Sequence, residues 1–238
     1  MSQTSGRSPW LAVLAGAIAG TLLTLLILVL GARAGWGDRL VREALQRNPQ
    51  ILVETADALR AQQYAPVLAA NRAAIETPWA SSWQGAKDAD VTLVEFYDYA
   101  CGYCRASLPI MARLVAEDPK LRIVYREFPV LGQPSEVASR LALVASKAGR
   151  FIVFHDTLFA AGRPDEQSLA AASTAAGIAF APSTDPAIDA ELKANYRIAG
   201  QLGATGTPLF VVGDRVMNGA VGYDVLKAAI TAARARKT

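Results

Sequence analysis

The chain has 238 residues, 24 basic and 21 acidic side chains, a formal charge of +3 and an apolar fraction of 52%. That length holds one sizeable domain with appendages, and without Arg7 and Arg33 the balance is 22 basic to 21 acidic, which gives no electrostatic footprint for nucleic acid. Two cysteines and one histidine fall short of a four-ligand zinc site and of a disulfide-stapled scaffold.

Residues 1–34 read as a membrane anchor or export signal. Trp10 to Leu30 is a run of 21 positions without a charge, long enough to span a bilayer as a helix. A cleaved signal has a shorter apolar core, although Ala32-Arg33-Ala34 resembles an A-x-A cleavage site. Length favours an uncleaved anchor over residues 10–30. Arg33, Arg39 and Arg42 follow the run while Arg7 alone precedes it, so the positive-inside rule points the rest of the chain inward. A lone cysteine pair behind an export-like segment instead suits an oxidising compartment, and this sets the expectation of an extracytoplasmic domain.

Residues 35–64 read as a helical appendage, split at Asn48-Pro49, with Asn48 as N-cap and Pro49 as first helical residue. Val41, Leu45, Leu52, Ala56 and Leu59 recur at helical spacing. Such a stripe either packs back on its own domain or, over 38–64, joins copies of the chain; periodicity alone does not choose. Residues 65–89, with Pro66, Pro78, Ser81, Ser82 and Gly85, read as a linker.

Residues 90–238 carry the remaining pattern. Val91 to Tyr97 reads as a buried strand, and Arg105 to Ala116 as a helix. A second strand runs from Leu121 to Phe128. Helices follow at 135–148, 151–161, 165–176 and 185–201, the last opened by Asp185-Pro186. Gly203 to Pro208 forms a Gly-rich turn into a strand at 209–212. Gly213-Asp214 then turns into 215–217, as in a hairpin, and a last helix covers 223–235.

Cys101-Gly102-Tyr103-Cys104 lies at the first strand-to-helix junction and holds both cysteines. The first sulfur sits where unpaired helix N–H groups and the helix dipole favour a thiolate. The second lies one turn on, on the same face. The pair is therefore a candidate reversible disulfide, with Cys101 as nucleophile and Cys104 as resolving thiol. Glu95 stands inside the apolar strand, where a carboxylate is costly unless paired or protonated; Arg126 on the neighbouring strand is a candidate partner. His155 reads as a packed helix residue rather than a catalyst.

Val94-Glu-Phe-Tyr-Asp-Tyr-Ala-Cys-Gly-Tyr-Cys104, Arg126-Glu-Phe-Pro129 and Thr205-Gly-Thr-Pro208 together resemble the DsbA family of thiol–disulfide oxidoreductases, over about residues 90–235. Asn48-Pro-Gln-Ile-Leu-Val-Glu54 resembles the ScsC and Com1-like branch. The resemblance implies an α/β thioredoxin-like fold with a helical insertion at about 133–200, behind a transmembrane helix and the helical appendage. It implies a cis Thr207–Pro208 bond facing the cysteines, and an acidic residue, Glu95, beneath them that influences their proton transfers. It implies no cofactor. Substrates would be exported unfolded or misoxidised proteins, and the electron partner a membrane protein of DsbB, VKOR or DsbD type. Gly102-Tyr103 with Thr207 before the proline also resembles the isomerase DsbC, so oxidase and isomerase directions both stand. ScsC-like proteins are associated with copper tolerance, and a thiol pair that holds Cu(I) is a further alternative.

Overall fold

The computed structural model describes residues 9–33 and 35–236. Arg7 and Ala34 lie outside the described residues. Two compact units divide between Ala56 and Asp57.

The first unit holds α1 (Pro9–Arg33), α2 (Trp36–Arg47) and the start of α3 (Gln50–Glu76). The chain breaks at Asn48 and Pro49 as expected, and α3 begins one residue later than the cap reading placed it. Helix α2 has no buried residue, and Val41, Leu52 and Leu59 are exposed. Among the described residues no single helix is long and apolar enough to cross a membrane. A bent pair, Gly16–Gly31 with Trp36–Arg47 at 59°, satisfies length and composition together.

The second unit is built on one mixed sheet in the order β1-β3-β2-β4-β5. Its strands are β1 (Trp83–Gly85), β2 (Val91–Tyr97), β3 (Leu121–Glu127), β4 (Leu209–Val212) and β5 (Arg215–Asn218). Strands β2 and β3 are parallel, joined by α4 (Gly102–Glu117); the other pairings are antiparallel. Between β3 and β4 lie α5 (Gln133–Lys147), α6 (Phe151–Ala161), α7 (Glu166–Ala176) and α8 (Pro186–Gln201), and α9 (Tyr223–Ala235) closes the chain.

The central strand β2 is buried at all seven positions, as a strand covered on both faces must be. Alternation divides its side chains between two cores. Val91, Leu93 and Tyr97 join Ile123, Tyr125, Phe210, Met111, Phe154 and Phe159 on one face. Val94 and Phe96 join Val124, Leu209, Val211, Leu68, Ile75 and Ile198 on the other.

This second core corrects the expected linker over 65–89. Helix α3 runs through Pro66 to Glu76, and its Leu68 and Ile75 are 1% exposed. The prolines and serines marked a break, but the apolar spacing of Tyr64, Val67, Leu68 and Ile75 continued past Pro66. Trp83–Gly85 then adds an edge strand beside β3, too short to stand out in sequence.

Candidate active site

Cys101 caps α4 at φ −80° and ψ 116°, and its Sγ accepts the Cys104 N–H at 3.4 Å. As a thiol it donates to Thr207 O at 3.3 Å. The contact sets the loop before β4 against Cys101, and the Thr207–Pro208 bond in that loop is cis. Gly203, at φ +68°, opens that loop; a Cβ there would fall 2.9 Å from the Tyr64 hydroxyl, and only glycine takes this conformation without strain.

The two sulfurs differ sharply in environment. Cys101 is pulled down to about 5, first by the hydrogen bond from the Cys104 thiol, against the opposing cost of burial, with help from Thr207 and from the Cys104 and Tyr103 backbone. Burial pushes Cys104 far up, and its hydrogen bond to Cys101 and the charge of Glu95 push it further. Cys101 keeps 5% of its surface and Cys104 1%, so access to both is narrow, and Cys101 is the more open of the two. Both are free thiols. Gly102 and Tyr103 are exposed beside them.

Glu95 is buried, with Oε1 unpartnered. Burial first, then the Cys101 charge, raises its carboxyl to about 8. The expected pairing with Arg126 does not occur. The parallel register sets Glu95 opposite Tyr125 and Phe96 opposite Arg126, so Arg126 points to the other face. There it meets Glu191 at 2.6 Å and the carbonyls of Ala74, Ile75 and Thr77, which closes the end of α3. Glu95 instead shares the face of the cysteine pair.

His155 is packed as expected, 1% exposed among Tyr97, Tyr99, Tyr125, Phe151 and Phe159. Burial lowers its pKa to about 3. Its Nδ1 lies 3.3 Å from the Tyr99 hydroxyl.

Asp98 was missed in the sequence. It is 0% exposed, its main-chain carbonyl accepts the Cys101 N–H at 3.0 Å, and its carboxylate accepts the N–H groups of Ala100, Val130 and Leu131 at 2.7, 2.8 and 2.9 Å. The available signal was an acidic residue between two aromatic residues, three positions before Cys101.

Residues 92–231 match the family described as DSBA-like thioredoxin domain. The chain belongs to this family. The catalytic domain of ScsC from Proteus mirabilis is 30% identical with a TM-score of 0.66, covering 71% of this chain and 98% of that one. A periplasmic thioredoxin-like protein from Salmonella enterica serovar Typhimurium is 29% identical with a TM-score of 0.63, covering 69% and 95%. The Na(+)/H(+) antiporter NhaA 1 of Salinispora arenicola is 29% identical over 164 residues, which are 63% of this chain and 24% of that protein. This chain thus spans about a quarter of the length of that curated relative. The DsbA-like fold puts the C-x-x-C helix and the Thr207–Pro208 loop side by side, and membership accounts for their meeting across a hundred residues of sequence.

Proposed function

We propose that this DsbA-like protein is a thiol–disulfide oxidoreductase acting on exported proteins through Cys101 and Cys104. The observation that carries the reading is the contrast between the two sulfurs: Cys101 lowered to about 5 at a helix N-terminus beside Thr207, and Cys104 buried and raised. A thiolate is the attacking species, and a low-pKa thiol is also the better leaving group.

In the reducing direction, Cys101 thiolate attacks one sulfur of a substrate disulfide. A Cys101–substrate bond forms, the substrate S–S bond breaks, and one substrate thiolate leaves. Cys104 then loses its proton and attacks Cys101. The mixed disulfide breaks, a second substrate thiolate leaves, and the protein pair has given two electrons to the substrate. Isomerisation replaces Cys104 in the second step with another substrate thiolate, with no net transfer. Oxidation runs the first sequence backward.

Glu95 fits the proton step. While Cys101 is a thiolate, its charge helps to hold Glu95 protonated. Forming the mixed disulfide removes that charge and lowers the Glu95 pKa; its proton goes to the departing substrate thiolate, which leaves a base on the face that holds Cys104.

The extracytoplasmic location rests on the uncharged run over 10–30, the oxidising-compartment logic of the lone pair and the likeness to a periplasmic protein. The electron partner would be a membrane protein of DsbB, VKOR or DsbD type. Exposed apolar residues along α2 and α3 support self-association through residues 38–64. The cation-free Gly102-Tyr103 dipeptide, which with Thr207 resembles the isomerase DsbC, favours exchange and isomerisation over dedicated oxidation.

A glutathione redox titration with refolding of scrambled ribonuclease tests direction. A Cys101 at about 5 stands about 1.5 units above the DsbA nucleophile, worth about 2 kcal/mol and about 45 mV. The expected potential lies several tens of mV below the about −120 mV of DsbA. Cys101→Ser abolishes exchange. A potential at the DsbA value with no isomerase activity would make the protein a dedicated oxidase instead.

A further inference from the structure

The segment after β3 is held open against the apolar preference of its own side chains. Val130 and Leu131 are 41% and 47% exposed, yet the main chain that carries them is pinned throughout. Phe128 N–H donates to Tyr97 O at 2.8 Å. The Tyr196 hydroxyl, from α8, donates to Pro129 O, and its ring meets Phe128 edge-on at 5.3 Å between centroids. Val130 N–H and Leu131 N–H both donate to one oxygen, Asp98 Oδ2. Asp98 Oδ1 takes Ala100 N–H, and Asp98 O takes Cys101 N–H. One fully buried residue therefore ties the apolar loop to the turn that delivers the nucleophile.

We propose that Asp98 is a positioning residue that fixes Val130 and Leu131 beside Cys101 as a contact surface for a polypeptide substrate, which deepens the disulfide-exchange reading and rests on it. A carboxylate is required because the groups facing it are three N–H donors and it brings only acceptors. An asparagine of the same shape has one acceptor and one donor group. It can serve Ala100, or Val130 and Leu131, and on the other side N–H faces N–H. A buried donor left unmet is expensive, so the loop and the Cys101 turn come apart in register. The loop performs no bond-making step. Its displacement weakens capture of a chain that spreads over the surface more than it weakens exchange with a small disulfide.

The test compares Asp98→Asn with wild type on two substrates, scrambled ribonuclease and glutathione disulfide. The expected result is a rise of about tenfold in KM for ribonuclease, with a loss on glutathione disulfide several-fold smaller. A second variant, Val130→Ser with Leu131→Ser, keeps both N–H donors and changes exposed side chains, so it can overturn the contact surface even where Asp98→Asn does not fold. It should reproduce the loss weighted toward ribonuclease. Losses equal on the two substrates, or no loss with ribonuclease in the serine variant, overturn the assignment. A wild-type chain inert toward both substrates overturns the disulfide-exchange reading and this assignment with it.

Discussion

Replacing Cys104 by alanine isolates the contact that most depresses Cys101. The Cys104 thiol hydrogen bond heads the causes that bring Cys101 to about 5. A hydrogen bond to a charged group contributes about 1.5–3 kcal/mol, so its loss moves Cys101 up by about 1–2 units. The remaining donors, from Thr207 and from the Cys104 and Tyr103 backbone, survive the substitution and keep the thiol below its ordinary value. Iodoacetamide labelling against pH reads this directly. With a nucleophile at about 5, nine-tenths of Cys101 is thiolate at pH 6, against about one in a thousand for an ordinary thiol at 9.0. Intrinsic reactivity falls with pKa at a Brønsted slope of about 0.4–0.5, which returns roughly sixty-fold and leaves Cys101 about fifteen times faster than an ordinary thiol. The stability sign follows from the same shift. Cys101 is depressed on folding, so its contribution is fully present above about 9, partly present at pH 7, and lost as pH falls through about 5. In Cys104→Ala the labelling midpoint should lie near 6–7, about 1–2 units higher. A midpoint that stays near 5 in the variant, or one above 8 in wild type, refutes the account of how this thiolate is held.

Glu95→Gln should slow resolution of the mixed disulfide about 10²-fold, the lower range for acid–base catalysis, and should erase from that step a titration lying below the about 8 of the reduced protein. Rapid-quench trapping of the Cys101 adduct across pH checks both, and an unchanged rate and profile would remove Glu95 from the proton path. Fragments beginning near residue 36 and near residue 57 should differ in mass by light scattering, the longer one being oligomeric; identical monomers would end the self-association idea. A fragment beginning near residue 88 should be poorly folded, because it loses Leu68 and Ile75 from the second core, each worth about 2–5 kcal/mol.

The order of strands and helices was legible because each element had its own period, and the α6, β4 and α9 boundaries read from sequence coincide with the observed ones. The C-x-x-C turn was legible because local geometry alone places Cys101 at a helix end. What escaped depended on partners distant in sequence. Pro66 is a local break signal, but α3 is held past it by residues of β2, β3, β4 and α8 that no local window contains. Arg126 and Glu95 are opposite charges on adjacent strands, and a one-residue offset in register set them on opposite faces of the sheet.

The buried polar residues show the same limit at greater depth. Glu127 lies beside Tyr97 in the β2–β3 register, and its carboxyl is raised to about 8, chiefly by burial. Tyr97 meets both Glu127 and the Tyr99 hydroxyl, and Tyr99 meets His155 Nδ1. One phenolic proton cannot serve two acceptors. Two orders give every contact a donor and an acceptor: His155 Nδ1–H to Tyr99, Tyr99 to Tyr97 and Tyr97 to Glu127, or a protonated Glu127 donating to Tyr97 and so on to His155. Both orders use the neutral histidine that burial imposes, with its pKa lowered to about 3. In sequence these are a glutamate, two tyrosines and a histidine on three separate elements, each with an ordinary reading. They become coupled when β2, β3 and α6 come together, and the chain they form joins the sheet to the helical insertion.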